Sequence, residues 1–249
     1  MTKRVENKKV LITGASRGIG RGIAKKFAEE GAKVGINYYS SDEKAEEVLE
    51  YVNKRSEGIL LKGDISKEKN CKKIISDFTE RYEGLDVLIN NAGIYKRKSI
   101  EETNPKDFDK TMSVNVRGAF LMSKYSLEYL KQSPSGRIIN MSSQLAFKGS
   151  DHGTSYVVSK AALLGLTRAL ALELGPEGIN VNGIAPGTID TDIISNYSEE
   201  KRKRRAENIP LKRIGDPEDI ADIALFLASE EGDYLTGEII GVNGGSAIH

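Results

Sequence analysis

A tyrosine and a lysine stand four residues apart in Tyr156-Val157-Val158-Ser159-Lys160. The residues that follow, up to Leu174, are strong helix formers, so the phenol and the ammonium would share one helix face. A tyrosine ordinarily titrates at about 10. A cation about 4 Å away favours the phenolate by up to about 4 kcal/mol at an effective dielectric of about 20. The spacing therefore predicts a Tyr156 whose pKa is brought down, able to protonate a carbonyl oxygen and to take the proton back in reverse. Taken alone, such a pair is most often an ordinary exposed helix pair. Ser143 stands thirteen residues upstream, after the apolar run 137–141, where its hydroxyl would hold a substrate oxygen beside the phenol.

A second constellation is the turn Thr13-Gly14-Ala15-Ser16-Arg17-Gly18-Ile19-Gly20, which follows an apolar run and opens a helix-like segment. Gly14 permits a tight turn, Gly18 lets backbone N–H groups approach a pyrophosphate, and Gly20 lets helix and strand pack closely. The helix N-terminus adds unpaired N–H donors and a positive dipole end. The expected ligand is a dinucleotide held by Gly14, Ser16, Arg17, Gly18, Ile19 and Gly20. After the second run the chain reads Asn37-Tyr38-Tyr39-Ser40-Ser41, with no acid before Asp42 to bond a ribose 2′-hydroxyl and repel a 2′-phosphate. Arg17 could pair with that phosphate, and Tyr39 lies beside it in this reading. NADP(H) is expected in preference to NAD(H).

Positioning these groups requires a scaffold, and the apolar runs supply one. They fall at residues 10–12, 34–36, 59–61, 87–89, 138–139, 179–184 and 238–242, mostly Val, Ile and Leu. Such runs read as strands buried on both faces. Amphipathic stretches at 21–30, 42–54, 72–82 and 108–131 read as helices between them. The expectation is an α/β fold with about seven parallel strands covered on both faces, in one domain over residues 1–249. Residues 186–211 break the rhythm, and residues 190–212 are expected to form a lid over the site.

Composition excludes other classes. Lys and Arg number 37 against 36 Asp and Glu, a net charge of +1, so the global basic field of a nucleic-acid binder is missing. One cysteine, Cys71, and two histidines, His152 and His249, leave neither a disulfide framework nor a metal-ligand cluster. No apolar run approaches the roughly 20 residues of a membrane span, and the charged start is unlike a secretion signal. A cytoplasmic protein without metal, membrane or nucleic-acid partners is expected.

The turn 13–20, Asn90-Asn91-Ala92-Gly93 after the fourth run, Asn115, Ser143, Tyr156 and Lys160 together resemble the short-chain dehydrogenase/reductase family. The resemblance extends from about residue 8 to residue 247. It implies a single-domain Rossmann fold with a doubly wound parallel sheet, and an enzyme that moves hydride between NAD(P) and a carbonyl or alcohol. By that resemblance Tyr156 is the catalytic acid/base, and Lys160 lowers its pKa and binds the nicotinamide ribose. Ser143 orients the carbonyl, and Asn115 holds a water in a proton relay to Lys160. Asp64, followed by Ile65, contacts adenine, while Asn91, Ala92 and Gly93 line the adenosine side. The segment Pro186-Gly187-Thr188-Ile189-Asp190-Thr191 meets the nicotinamide carboxamide, with Thr191 as its side-chain contact. Asn243-Gly244-Gly245 is similar to a family ending that often reads Asp-Gly-Gly. A homotetramer through the helices over 108–131 and 154–174 is also implied.

Within the family the chain is most similar to reductases of 3-oxoacyl thioesters, carried on acyl carrier protein or coenzyme A. Asn37-Tyr38-Tyr39-Ser40 also resembles glucose 1-dehydrogenases, so a sugar, polyol or small-ketone dehydrogenase is the alternative. A non-catalytic NAD(P)-binding sensor is the alternative of another class. Relatives acting on the carrier protein dock it with arginines where this chain has Pro134 and Glu177; Lys131 and Arg137 lie nearby, off register. Lys201, Arg202, Lys203, Arg204 and Arg205 form a basic run in the lid, read as a solvated helix face or as a handle for an anionic substrate. His152 reads as a loop or pocket residue, and Cys71 as a neutral thiol.

Overall fold

A computed structural model describes residues 3–194 and 197–248. His249 and two positions of the expected lid, 195 and 196, therefore lie outside the described residues. The apolar runs form seven strands: β1 (Lys9–Ile12), β2 (Lys33–Tyr38), β3 (Glu57–Lys62), β4 (Val87–Asn90), β5 (Arg137–Met141), β6 (Asn180–Pro186) and β7 (Ile239–Val242). All neighbours pair in parallel, in the order β3-β2-β1-β4-β5-β6-β7.

Parallel strands need crossovers, and helices supply them. Three helices, α1 (Gly18–Glu29), α2 (Asp42–Asn53) and α9 (Pro217–Ala228), cover one face, where Ile23, Phe27, Val48 and Leu225 meet Val10, Ile12, Val34 and Ile36. The other face carries α3 (Glu68–Tyr82), α5 (Gly118–Gln132) and α7 (Thr154–Leu174), with Ile74, Phe78, Met122 and Leu130 against Leu11, Leu88 and Ile138. Each buried Leu, Ile or Phe side chain contributes roughly 1.5–3 kcal/mol relative to exposure, so two such layers hold the sheet centre firmly.

The strand order reverses between β1 and β4, whose connections leave toward opposite edges. In an open α/β sheet this opens a crevice outside the carboxyl ends of those strands. The glycine turn follows β1, and Asn91, Ala92 and Gly93 follow β4, so both line that crevice.

The stretch 108–131 differs from one continuous helix. It consists of α4 (Pro105–Met112), a π-turn (Ser113–Arg117) and α5. The wider π-turn inserts Asn115 into the interior, where it is 1% exposed. The remaining helices are α6 (Leu145–Lys148) and α8 (Glu199–Glu207), the latter carrying the basic run.

Candidate active site

Ser143 follows β5, and two bonds hold that segment: Ser142 N–H donates to Ile184 O at 2.7 Å, and Ser142 Oγ to Lys160 O at 2.8 Å. The second bond ties β5 to α7 at the residue that supplies the cation. Gly153, at φ +76°, begins α7; any Cβ there would lie 2.5 Å from the Tyr95 ring. The helix therefore starts against that ring, one turn before Tyr156.

The Ser143 hydroxyl faces the Tyr156 phenol, close enough to favour its ionised form. Lys160, 4% exposed, lies below them, its Nζ 5.7 Å from the centre of the Tyr156 ring. That Nζ donates to Met141 O at 2.6 Å rather than to the phenol. Burial pushes Tyr156 up to about 12; the facing Ser143 hydroxyl opposes it and the neighbouring Tyr95 adds to it. Burial also pushes Lys160 down to about 8. The Tyr156–Lys160 spacing alone predicts a lowered phenol; in the folded chain desolvation of both groups is the larger effect and reverses the sign. At neutral pH the phenol keeps its proton and the lysine is mostly charged.

Asn115 is clamped to the loop after β4. Its Oδ1 accepts from Ile94 N at 2.8 Å, while Nδ2 donates to Ile94 O at 3.0 Å and to Ser159 Oγ at 2.9 Å. Ser159 Oγ in turn donates to Tyr156 O at 2.7 Å. A Cβ on Gly93 would lie 3.4 Å from both Asn115 Oδ1 and Lys160 Nζ. Gly93 thus borders the space that those two polar groups share.

The glycine turn fits an extended phosphate group. Gly14 and Gly18 have φ of +65° and +53°, where side chains are strained. A Cβ on Gly20 would strike Gly14 O and approach Asn91 Nδ2 to 2.5 Å. No side chain caps α1 and its first turn carries no acid, so its N-terminus is left for an anion. Asn91 spends its amide holding the turn, donating to Thr13 O and Gly14 O at 2.9 and 3.1 Å. Ala92 lies against Gly14, and Thr191 against Gly18. Ser16 is buried, and Ile19 is partly buried against the core. Asp64 Oδ1 accepts from Ser66 N at 2.9 Å, and Ile65 is buried on Gly118.

Beyond β2, Tyr39 is exposed, and Asp42 is held by Lys62 at 2.7 Å and by the Tyr38 hydroxyl at 3.0 Å. Arg17 stands 3.9 Å and Lys44 2.8 Å from Asp192, in the expected lid segment. Pro186 ends β6, and Gly187 packs so tightly on Asn243 that a Cβ would lie 2.7 Å from its Cα. Asn243 uses both halves of its amide: Oδ1 accepts from Gly245 N at 2.9 Å and Nδ2 donates to Ala247 O at 2.9 Å. An aspartate could not make the second bond, which accounts for the asparagine. Ile189 is buried and paired with Gly215 in an isolated bridge.

Tyr95 was not singled out from sequence. Its ring stacks on Tyr156 at 4.2 Å and 28°, and on His152 at 6.2 Å and 18°. It lies immediately beside the Tyr156 phenol. Its position two residues past Gly93, at the carboxyl end of a switch-point strand, was the available signal. Lys131, by contrast, pairs with Glu177 at 3.1 Å, and Arg137 is buried and paired with Asp233. Ser143, Tyr156, Lys160 and the glycine turn lie at the same end of the sheet, an arrangement suited to hydride exchange with a nicotinamide.

A family model described as enoyl-(acyl carrier protein) reductase matches residues 14–247. An uncharacterized oxidoreductase of Thermotoga maritima is 44% identical over 248 residues, covering 97% of this chain and 98% of its own. A 3-oxoacyl-[acyl-carrier-protein] reductase of Staphylococcus epidermidis is 40% identical over 241 residues, covering 96% and 98%. The crystal structure of a 3-ketoacyl-(acyl-carrier-protein) reductase from Brucella melitensis complexed with NADH superposes with a TM-score of 0.91 at 33% identity, covering 98% and 100%. That of a short-chain dehydrogenase from Burkholderia cenocepacia in complex with NADP gives 0.91 at 34%, covering 98% and 99%.

Proposed function

The chain belongs to the short-chain dehydrogenase/reductase family, and from that premise we propose that it reduces 3-oxoacyl thioesters to 3-hydroxyacyl thioesters with NADPH. The observation that supports this most is buried Lys160 lying 5.7 Å from the Tyr156 ring, with the Ser143 hydroxyl facing that phenol and a glycine turn that excludes Cβ atoms nearby. When bound, the reduced nicotinamide supplies the hydride. The residues that would hold it are Gly14, Ser16, Arg17, Gly18, Ile19 and Gly20 at the pyrophosphate, Asp64, Ile65, Asn91, Ala92 and Gly93 toward adenosine, and Pro186, Gly187, Ile189 and Thr191 toward the carboxamide. Ser143 donates a hydrogen bond to the carbonyl oxygen, and Tyr156 passes it a proton as negative charge develops. Charged Lys160 stabilises the phenolate left behind. Asn115, fixed by Ile94 and Ser159, keeps a polar route open toward Lys160 for reprotonation.

NADPH is favoured because Asp42 is already engaged by Lys62 and Tyr38, while Arg17 and Lys44 face the same lid carboxylate and offer cations to a 2′-phosphate. Residues 190–212 act as the lid. The ion pairs at Lys131 and Arg137 leave little free positive charge where a carrier protein would dock, which favours a small carrier. Exposed Phe120, Val158 and Leu172 on α5 and α7 support assembly of copies through those helices, as a homotetramer. Among the described residues no helix is long and apolar enough to cross a membrane.

The test is an initial-rate panel of acetoacetyl-CoA, acetoacetyl carrier protein, glucose and small diketones with each cofactor. Acetoacetyl thioesters with NADPH should lead the panel, and Tyr156→Phe should lower turnover by about a thousandfold while NADPH affinity stays within about threefold. Preference for glucose, or binding of NADPH without turnover of any carbonyl, would overturn the proposal.

A further inference from the structure

Two chains of contacts leave the Ser143–Tyr156 pair and meet again on α8. Along one, Tyr156 stacks on Tyr95, and the Arg97 guanidinium lies 5.6 Å from the Tyr95 ring centre and donates to the Tyr197 hydroxyl. Lys201 Nζ lies 3.9 Å over that Tyr197 ring. Along the other, Gln144, next to Ser143, accepts from Ser246 Oγ, and Ser246 O accepts from Lys148 Nζ at 3.3 Å. Arg205 lies close enough to Lys148 for its charge to act on that ammonium. Lys201 and Arg205 are one helical turn apart on the same side of α8. The contacts close a ring around the mouth of the site, and four of its members are cations: Arg97, Lys148, Lys201 and Arg205.

None of the four has a carboxylate within ion-pair distance among the described residues. Three nearby acids are engaged elsewhere: Asp190 with Arg202 at 2.9 Å, Glu200 with Arg204, and Asp151 with His152 at 2.5 Å; Glu199 and Glu207, at the ends of α8, make no ion pair among the described residues. Like charges gathered without counter-charge repel one another and destabilise the folded chain, so the cluster needs a reason. Burial and the facing Arg205 both push Lys148 down from its ordinary pKa, the sign expected of a group waiting for an anion.

We infer that this ring of cations is the subsite for the phosphates of a coenzyme-A-type carrier, holding the handle of the thioester while its 3-oxo group reaches Ser143 and Tyr156. The inference rests on the thioester reading above and names its carrier. Guanidinium and ammonium groups are matched to phosphate oxygens, and four of them suit a polyanion better than a single carboxylate. An acidic carrier protein is the competing source of negative charge.

The experiment compares acetoacetyl-CoA with acetoacetyl-N-acetylcysteamine, which carries the same reacting group without phosphates, at saturating NADPH. In Lys201→Ala/Arg205→Ala, KM for acetoacetyl-CoA should rise at least about tenfold, from about fivefold per exposed cation lost, with kcat nearly unchanged. The rate constant kcat/KM for the truncated thioester should stay within about twofold, and adenosine 3′,5′-bisphosphate should inhibit the wild type alone. An equal loss on both thioesters, or no loss on either, overturns the inference while leaving the reductase reading intact. A larger loss on acetoacetyl carrier protein than on acetoacetyl-CoA assigns the ring to a protein partner and also overturns it. If the wild type reduces neither thioester, the reductase reading fails. Binding of adenosine 3′,5′-bisphosphate to the NADPH-saturated protein then decides the subsite alone: retained by the double variant, it refutes the ring.

Discussion

Replacing Lys160 with methionine isolates the electrostatic part of the chemistry. Lys160 Nζ stands 5.7 Å from the Tyr156 ring centre. At an effective dielectric of about 20, a unit charge at that distance favours the phenolate by about 3 kcal/mol, equivalent to about 2 on the pH axis. Burial works the other way, holding Tyr156 at about 12 and Lys160 at about 8. Below about pH 8 the phenolate therefore exists mainly as the minor partner of a charged lysine. Lys160→Met removes that charge and leaves no unpaired ion in the interior, so the fold is expected to persist. The assay is oxidation of 3-hydroxybutyryl-CoA at saturating NADP between about pH 6 and 9, with NADPH binding followed separately by fluorescence. The rate constant kcat for oxidation should fall by about 100-fold, since about 2 on the pH axis is that factor in phenolate population. A fall of less than about threefold, with cofactor saturation verified, would refute the reasoning and make burial alone the control on Tyr156.

Other outcomes follow from single contacts. Gly20→Ala forces a Cβ against Gly14 O and Asn91 Nδ2, and should lower unfolding free energy by about 1–3 kcal/mol in denaturant titration and weaken cofactor binding. Arg17→Ala should raise KM for NADPH about tenfold and leave that for NADH nearly unchanged; equal changes would refute the 2′-phosphate assignment. Lys96 and Lys98 hold the Asp107 carboxyl down at about 2. Its stabilisation is therefore complete above the ordinary carboxylate range and lost as pH falls toward about 2. In Asp107→Asn that share of the acid-induced loss should vanish from melting curves, and the loop carrying Tyr95 and Arg97 should loosen.

The strands were legible because a parallel strand buried on both faces must be apolar along its length. The glycine turn was legible because excluding a Cβ leaves a mark in residue type. The helix over 108–131 was legible only as a helix. A π-turn adds one residue to one turn and leaves no periodic trace, so the inward aim of Asn115 could not be read. Tyr95 carries no motif, and its role comes from a stack across 61 positions of chain.

By itself the sequence determined the family and the sheet and pointed to the glycine turn and to the groups proposed to handle the proton, because each is written in residue types at short spacings. Tertiary structure alone decided the sign of the Tyr156 shift, since desolvation depends on how deeply neighbouring elements cover the pair. It also sorted the cations. Lys131 and Arg137 are neutralised by acids 46 and 96 residues away, whereas Arg97, Lys148, Lys201 and Arg205 have no carboxylate within ion-pair distance among the described residues. Charge pairing acts through space over a few ångströms, and a near-neutral total says nothing about where the unpaired charges gather.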